Sequence, residues 1–147
     1  MEQQNVTLRF TADAGWVIHK PSTDPSKGAS INGVYRYGPC LITDEKGGIG
    51  MYTASPGNAY AEWDWGRYRY SPDGGKSWDD EVVAVKPTPG QMDAVSTCDP
   101  GVFKMGEYYY AGYTSTYEAG GVNNMVFIGR SKNPQGPFNE KWTGSGW

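Results

Sequence analysis

The sequence has no apolar run near the ~20 residues that a bilayer-spanning helix requires. It also lacks an excess of positive charge. Thirteen Lys and Arg face sixteen Asp and Glu, a formal charge of −3. That leaves no basic footprint for phosphate backbones and no attraction to an anionic membrane surface. Nucleic acid and membrane are therefore excluded as expected partners. Histidine occurs once and cysteine twice, which argues against a structural zinc site, since such sites take about four ligands. No metal or other cofactor is implied. The opening MEQQNVTLRF has neither a basic start nor an apolar h-region, so no signal peptide is read within this chain.

What the chain has instead is punctuation and aromatics. Of 147 residues, 21 are Gly and 10 are Pro, and aromatics make up 14%, with 11 Tyr and 6 Trp against 4 Phe. Such a composition favours turns and strands over helices. Strand-like runs alternate with Gly, Pro, Asn and Asp clusters: VTLRF at 6–10, GWVIH at 15–19, CLIT at 40–43, IGMYTA at 49–54, GRYRYS at 66–71, EVVAV at 81–85, GVFKM at 101–105, EYYYAGYT at 107–114 and NMVFIGRS at 124–131. By period and punctuation the fold class is all-β.

The chain also repeats itself. YRYGPCLITDEKGGIGMYTA and STCDPGVFKMGEYYYAGYT share a Pro (Pro39, Pro100), a short apolar strand, a Gly turn and a longer aromatic strand. Further on, GRYRYSPDGGKSW aligns with VFIGRSKNPQGPF, placing Ser71 over Ser131, Asp73 over Asn133 and Trp78 over Phe138. The offset is about 60 residues, and a unit of that length with four strands is a propeller blade. The expected architecture is a partial β-propeller of four-stranded antiparallel blades in one domain, 1–147. Residues 1–34 supply strands of an incomplete blade, 35–90 a first full blade, and 91–147 a second blade truncated at its end. The Pro-led strand of each blade is expected innermost, beside the central channel. Asp73-Gly74 is a strong turn signal. With its neighbours, Ser71-x-Asp73-x-Gly75-x-x-Trp78 resembles the Asp-box of sialidases and other propellers. There the carboxylate caps turn N–H groups and the Trp packs between strands. The expectation here is a largely buried Trp78.

The second repeat resembles a blade of the five-bladed glycosidases grouped with glycoside hydrolase family 43. Asp99-Pro100-Gly101-Val102, Tyr108-Tyr109, Tyr113-Thr114 and the stretch from Ser131 to Phe138 carry the resemblance. It implies hydrolysis of glycosidic bonds in a polysaccharide or oligosaccharide by carboxylates gathered in a central pocket. Such chemistry needs one carboxyl protonated and another ionised at the same pH. The resemblance puts Asp99 among those carboxylates, as general base or as the acid that tunes a partner. The equivalent point of the first blade is Gly38. The resemblance also implies a carbohydrate partner and a secreted or periplasmic protein. Five blades need about 300 residues, so the chain reads as part of a larger propeller. It would complete itself with the missing blades or with a second copy, and would be inactive alone. The alternatives are a non-catalytic carbohydrate-binding propeller and a sialidase-like enzyme.

Four other residues are candidates for binding substrate. Trp63 and Trp65 are either sugar platforms or packing between blades. Arg36, before the inner strand, is either a carboxylate-gripping arginine or a surface one. Asp93 either projects into the channel or caps a turn. Cys40 and Cys98 read as small buried hydrophobes or as a pair, and Trp142 or Trp147 as pocket lining. His19 reads as an ordinary solvated or satisfied histidine, and Asn5-Val6-Thr7 fits the glycosylation sequon.

Overall fold

A computed structural model describes residues 36–57, 63–118 and 123–147. The expected strands at 6–10 and 15–19, the incomplete blade at 1–34, His19 and the sequon lie outside the described residues. Among the described residues there is no helix. Eight strands form: β1 (Tyr37–Thr43), β2 (Ile49–Pro56), β3 (Asp64–Ser71), β4 (Val82–Val85), β5 (Cys98–Met105), β6 (Tyr108–Ser115), β7 (Met125–Ser131) and β8 (Glu140–Lys141). They make two antiparallel four-stranded sheets, ordered β1-β2-β3-β4 and β5-β6-β7-β8. Each sheet is therefore a meander in chain order, as a blade requires. Strand β8, only two residues long, was not legible as a strand. It pairs Gly129 with Lys141 and Arg130 with Glu140.

The two sheets repeat each other in register. Ile49 pairs with Ser71 in the first and Tyr109 with Ser131 in the second. Both first strands carry the same irregularity. Between Tyr37 and Cys40, β1 has one residue more than β2 opposite, and between Cys98 and Gly101, β5 has one more than β6. These are β-bulges, which kink a strand and re-aim the side chains around it.

The blades meet at an apolar seam. Tyr52, Tyr68, Ala84, Val85, Val102, Ala111, Tyr113 and Phe138 are buried there, with Cys40, Ile42, Tyr70, Tyr109 and Phe127 packed against them. The Tyr52 ring lies 4.9 Å from that of Tyr68 and 6.1 Å, edge-on, from that of Phe138. Its hydroxyl donates to the Pro134 carbonyl, so the ring's one polar atom is satisfied. Burial raises the Tyr68 phenol to about 12. Across the seam the Phe138 N–H donates to the Ala84 carbonyl at 2.9 Å. That approach leaves no space for a side chain at Gly136. A Cβ there would sit 2.7 Å from the Ala84 carbonyl, and its φ of +81° suits glycine.

The turn after β3 is organised by one carboxylate. Asp73 Oδ1 accepts from the N–H groups of Lys76 (3.0 Å) and Ser77 (2.8 Å) and from the Ser71 hydroxyl (2.9 Å), and Oδ2 accepts from the Ser77 hydroxyl at 2.7 Å. Ser71 Oγ in turn accepts the Gly75 N–H at 2.7 Å. Trp78 folds back on this turn, its indole N–H donating to the Gly75 carbonyl at 3.2 Å. It is partly buried, whereas its counterpart Phe138 is fully enclosed. The degenerate copy of the motif is thus the one inserted in the seam. There the Asn133 N–H bonds Ser131 Oγ at 3.1 Å and the Asn133 carbonyl accepts from Gly136.

Phe138→Ala empties a fully enclosed site between the sheets and is expected to cost about 3–5 kcal/mol. Trp78→Ala is expected to cost less, and urea denaturation of both variants checks the order. The donors around Asp73 hold its carboxyl down at about 2, below the usual 3.8, with the Ser77 N–H the largest cause. A carboxylate lowered in the folded state stabilises above its unfolded value and stops doing so as pH falls through the folded one. Asp73→Asn is therefore expected to lower Tm at pH 7, and the gap to wild type to close as pH falls from about 4 towards 2. Thermal scans across that range by circular dichroism make the test.

Candidate functional site

The bulges on β1 and β5 place equivalent residues side by side. In β1 the bulge holds Gly38 at φ +58°, and in β5 it holds Asp99 at φ +50°. Among the described residues, Asp99 alone combines a side chain with positive φ. For an L-residue this conformation costs roughly 1–2 kcal/mol, with Asp and Asn the least penalised. Strain of this kind gathers at functional sites. The two bulges touch: a Cβ on Gly38 would stand 3.3 Å from both the Cα and Oδ1 of Asp99. The Asp99 carboxylate is exposed, and Oδ2 accepts the Thr114 hydroxyl at 3.1 Å.

Behind the bulges lies a carboxylate that sequence reading passed over. Asp64 opens β3 and is buried. Its Oδ2 accepts the Tyr37 hydroxyl at 2.5 Å and the Cys98 thiol at 3.5 Å. Its backbone carbonyl accepts the Thr97 N–H at 2.7 Å. Thr97, also buried, uses its hydroxyl to take the Gly66 N–H at 2.9 Å and to donate to the Val85 carbonyl at 3.0 Å. Burial, then the bond to Asp64, holds the Tyr37 phenol well above its ordinary value. Burial raises the Cys98 thiol, and the charge of Asp64 adds to the shift. The only sequence signal for Asp64 was an acid between Trp63 and Trp65, where β3 starts two residues earlier than the alternation suggested. Both cysteines are free thiols. Cys40 exchanges bonds with Val102, taking its N–H at 3.1 Å.

The other candidates are placed elsewhere. Asp93, expected to face the channel or cap a turn, is buried instead. It accepts from Tyr113 Oη at 2.8 Å, from the Thr88 hydroxyl at 3.2 Å and from Lys141 Nζ. Lys141 needs a buried counter-charge where β8 joins the sheet, and Asp93 supplies it. Arg36 does grip a carboxylate by two N–H groups, but that of buried Glu81, with Nε to Oε2 at 2.6 Å and Nη2 to Oε1 at 2.9 Å. Trp63 is exposed at the mouth of β3, its carbonyl accepting the Gly57 N–H at 3.2 Å. Trp65 lines a groove of about 380 Å³ with Val83, Ala84, Lys86, Pro137 and Asn139, where the first blade meets the second. Buried Arg67 lies over its ring at 5.5 Å and ties the end of β2 through the Pro56 and Gly57 carbonyls, each 3.0 Å away. Trp142 and Trp147 pack at a tilt, ring centroids 5.5 Å apart, on the face of the second sheet turned away from the first, where Trp147 meets Tyr110 edge-on and lies under Arg130.

No protein-family model matches the sequence, and no curated protein does. Solved structures do match. Zg3597, a family 117 glycoside hydrolase of the marine bacterium Zobellia galactanivorans, superposes with a TM-score of 0.58 at 21% identity, over 71% of this chain and 37% of that one. This chain has the fold of a partial β-propeller. CoXyl43, a family 43 β-xylosidase/α-arabinofuranosidase from a compost metagenome solved with xylotriose, gives 0.60 at 14% identity, over 77% of this chain and 36% of that one. An endo-arabinase from Bacteroides thetaiotaomicron gives 0.55 at 22%, over 72% and 34%. The chain thus spans about a third of the length of these propellers. Its two sheets are blades, and β1 and β5, which abut at their bulges, are the corresponding first strands.

Proposed function

We propose that this chain forms two adjacent blades of a five-bladed, secreted or periplasmic glycoside hydrolase, and that Asp99 is one of its pocket carboxylates. The observation that carries this reading is the paired bulge. Where the first blade has glycine, the second places an exposed acid in a conformation that glycine would occupy without strain. Glycosidases among the similar structures add support. In this reading the turn around Asp73 is an Asp-box with a structural role. Arg36 is engaged by Glu81, which weakens the sialidase-like alternative. A neutral or anionic sugar chain would meet Asp99 at the first-strand end of the blades, with exposed Trp63, the neighbour of Asp64 in the chain, as a platform. One exposed carboxylate cannot act as acid and base at once, so hydrolysis needs carboxylates from further blades.

The complete enzyme is expected to hydrolyse aryl β-xylosides or α-arabinofuranosides. Asp99→Asn should cut its turnover by at least ~10²-fold, the low end for an acid–base group. Near wild-type turnover of that variant on a confirmed substrate removes Asp99 from the chemistry. The same reading makes the outer face of the second blade a seat for another blade. Phe103, Met105, Val126 and Ile128 are exposed there, and the existing seam shows how one blade covers its neighbour. Alone at low micromolar concentration, the 147-residue chain is expected to scatter light as more than one copy. A monomer with sharp thermal unfolding overturns the blade-seat reading.

A further inference from the structure

We propose that Asp64 is the positioning residue for Asp99. Its carboxylate clasps the entrances of β1 and β5 together, and so keeps Asp99 in its left-handed conformation. The inference deepens the glycosidase reading and rests on it only for the purpose of that conformation.

Three contacts converge on this one residue. The Tyr37 hydroxyl reaches it from β1, immediately before the bulge glycine. The Cys98 thiol reaches it from β5, immediately before Asp99. The Thr97 N–H binds its backbone carbonyl. Asp64 itself belongs to β3, a strand that β2 separates from β1 in the sheet. A single buried carboxylate therefore joins the third strand of one blade to the first strands of both. Hydrogen bonds to a charged acceptor are the strong kind, and a buried carboxylate left without them is costly. The segments on either side of it are thus fixed with respect to each other. Between those segments stand Gly38 and Asp99, in contact. Thr114 adds one bond to the Asp99 side chain, but the backbone at position 99 is constrained by what holds Cys98 and the β1 bulge.

The test uses glycine as a gauge of positive φ at position 99. Asp99→Gly and Asp99→Ala both delete the carboxylate and its bond to Thr114, but only glycine relieves the left-handed strain. In the wild-type chain, Asp99→Gly is expected to have a higher urea midpoint than Asp99→Ala. In an Asp64→Asn background the bulge relaxes, and this difference is expected to shrink to within the error of the midpoints. Tyr37→Phe, which removes one hydroxyl, provides a second background should Asp64→Asn not fold, and is expected to reduce the difference in the same direction. A glycine advantage that persists unchanged in both backgrounds, or in Tyr37→Phe where only that one folds, overturns the proposal. The midpoints require no catalysis. A collapse of the difference together with an Asp99→Asn enzyme of full activity would leave the positioning intact and sink the glycosidase role of Asp99.

Discussion

Close approach between two twisted sheets is the constraint on which this structure depends. Side chains must fill the seam, yet at several points backbone meets backbone with no room for them. Phe138 reaches the Ala84 carbonyl through its own N–H, and Gly136 passes the same carbonyl without a Cβ. Where the gap widens, Tyr52, Tyr68 and Tyr113 fill it, the Tyr52 hydroxyl donating to the Pro134 carbonyl and that of Tyr113 to Asp93. Small and large residues thus alternate across the seam, as dense packing requires. The two blades are held at one separation and one angle.

That fixed separation allows the entrance of the first strands to be built from both blades. Tyr37 and Asp64 belong to the first sheet and Thr97 and Cys98 lead into the second, and the closed seam brings the two pairs together, as it does Gly38 and Asp99. The lower edge of the same seam is secured differently. The short strand β8 contributes Lys141 to Asp93 and to the Thr88 hydroxyl, a pairing whose loss on one side would leave the buried Asp93 without its counter-charge. One seam therefore carries an apolar middle, a polar clasp at the strand entrances and an ion pair near the last strand.

Much of this was legible in the sequence. Period-two alternation marked seven described strands, because each sheet has one face on the seam. The offset of about 60 residues marked the repeat, and the equivalence of Gly38 and Asp99 followed from the Pro after each. The turn of Ser71 to Trp78 was readable because its bonds are local. The illegible parts were long-range. Asp93 read as a channel residue or a turn cap and Arg36 as a carboxylate-gripping or a surface arginine, because their partners, Lys141 and Glu81, lie 48 and 45 positions away. Asp64 gave no sign of its role, since an acid between two tryptophans has the same local pattern whether it points to solvent or to a tyrosine in another strand. The roles of Trp78 and Phe138 differed because motif quality reports on the turn, while enclosure depends on which neighbouring sheet is present.

The paired bulges also bear on how such a site could arise. A bulge that holds its residue at positive φ is already occupied by glycine without strain, and a single base change at the second position turns a glycine codon into one for aspartate or glutamate, according to its third base. Each blade that carries this bulge thus offers a niche where one nucleotide change sets a carboxylate at the entrance of a first strand, with the backbone geometry supplied in advance. The first blade, with Gly38, stands on one side of that step and the second, with Asp99, on the other. Each of the two bulges is in this sense an address at which either a glycine or an acid can stand, and the two blades differ in which of them it holds.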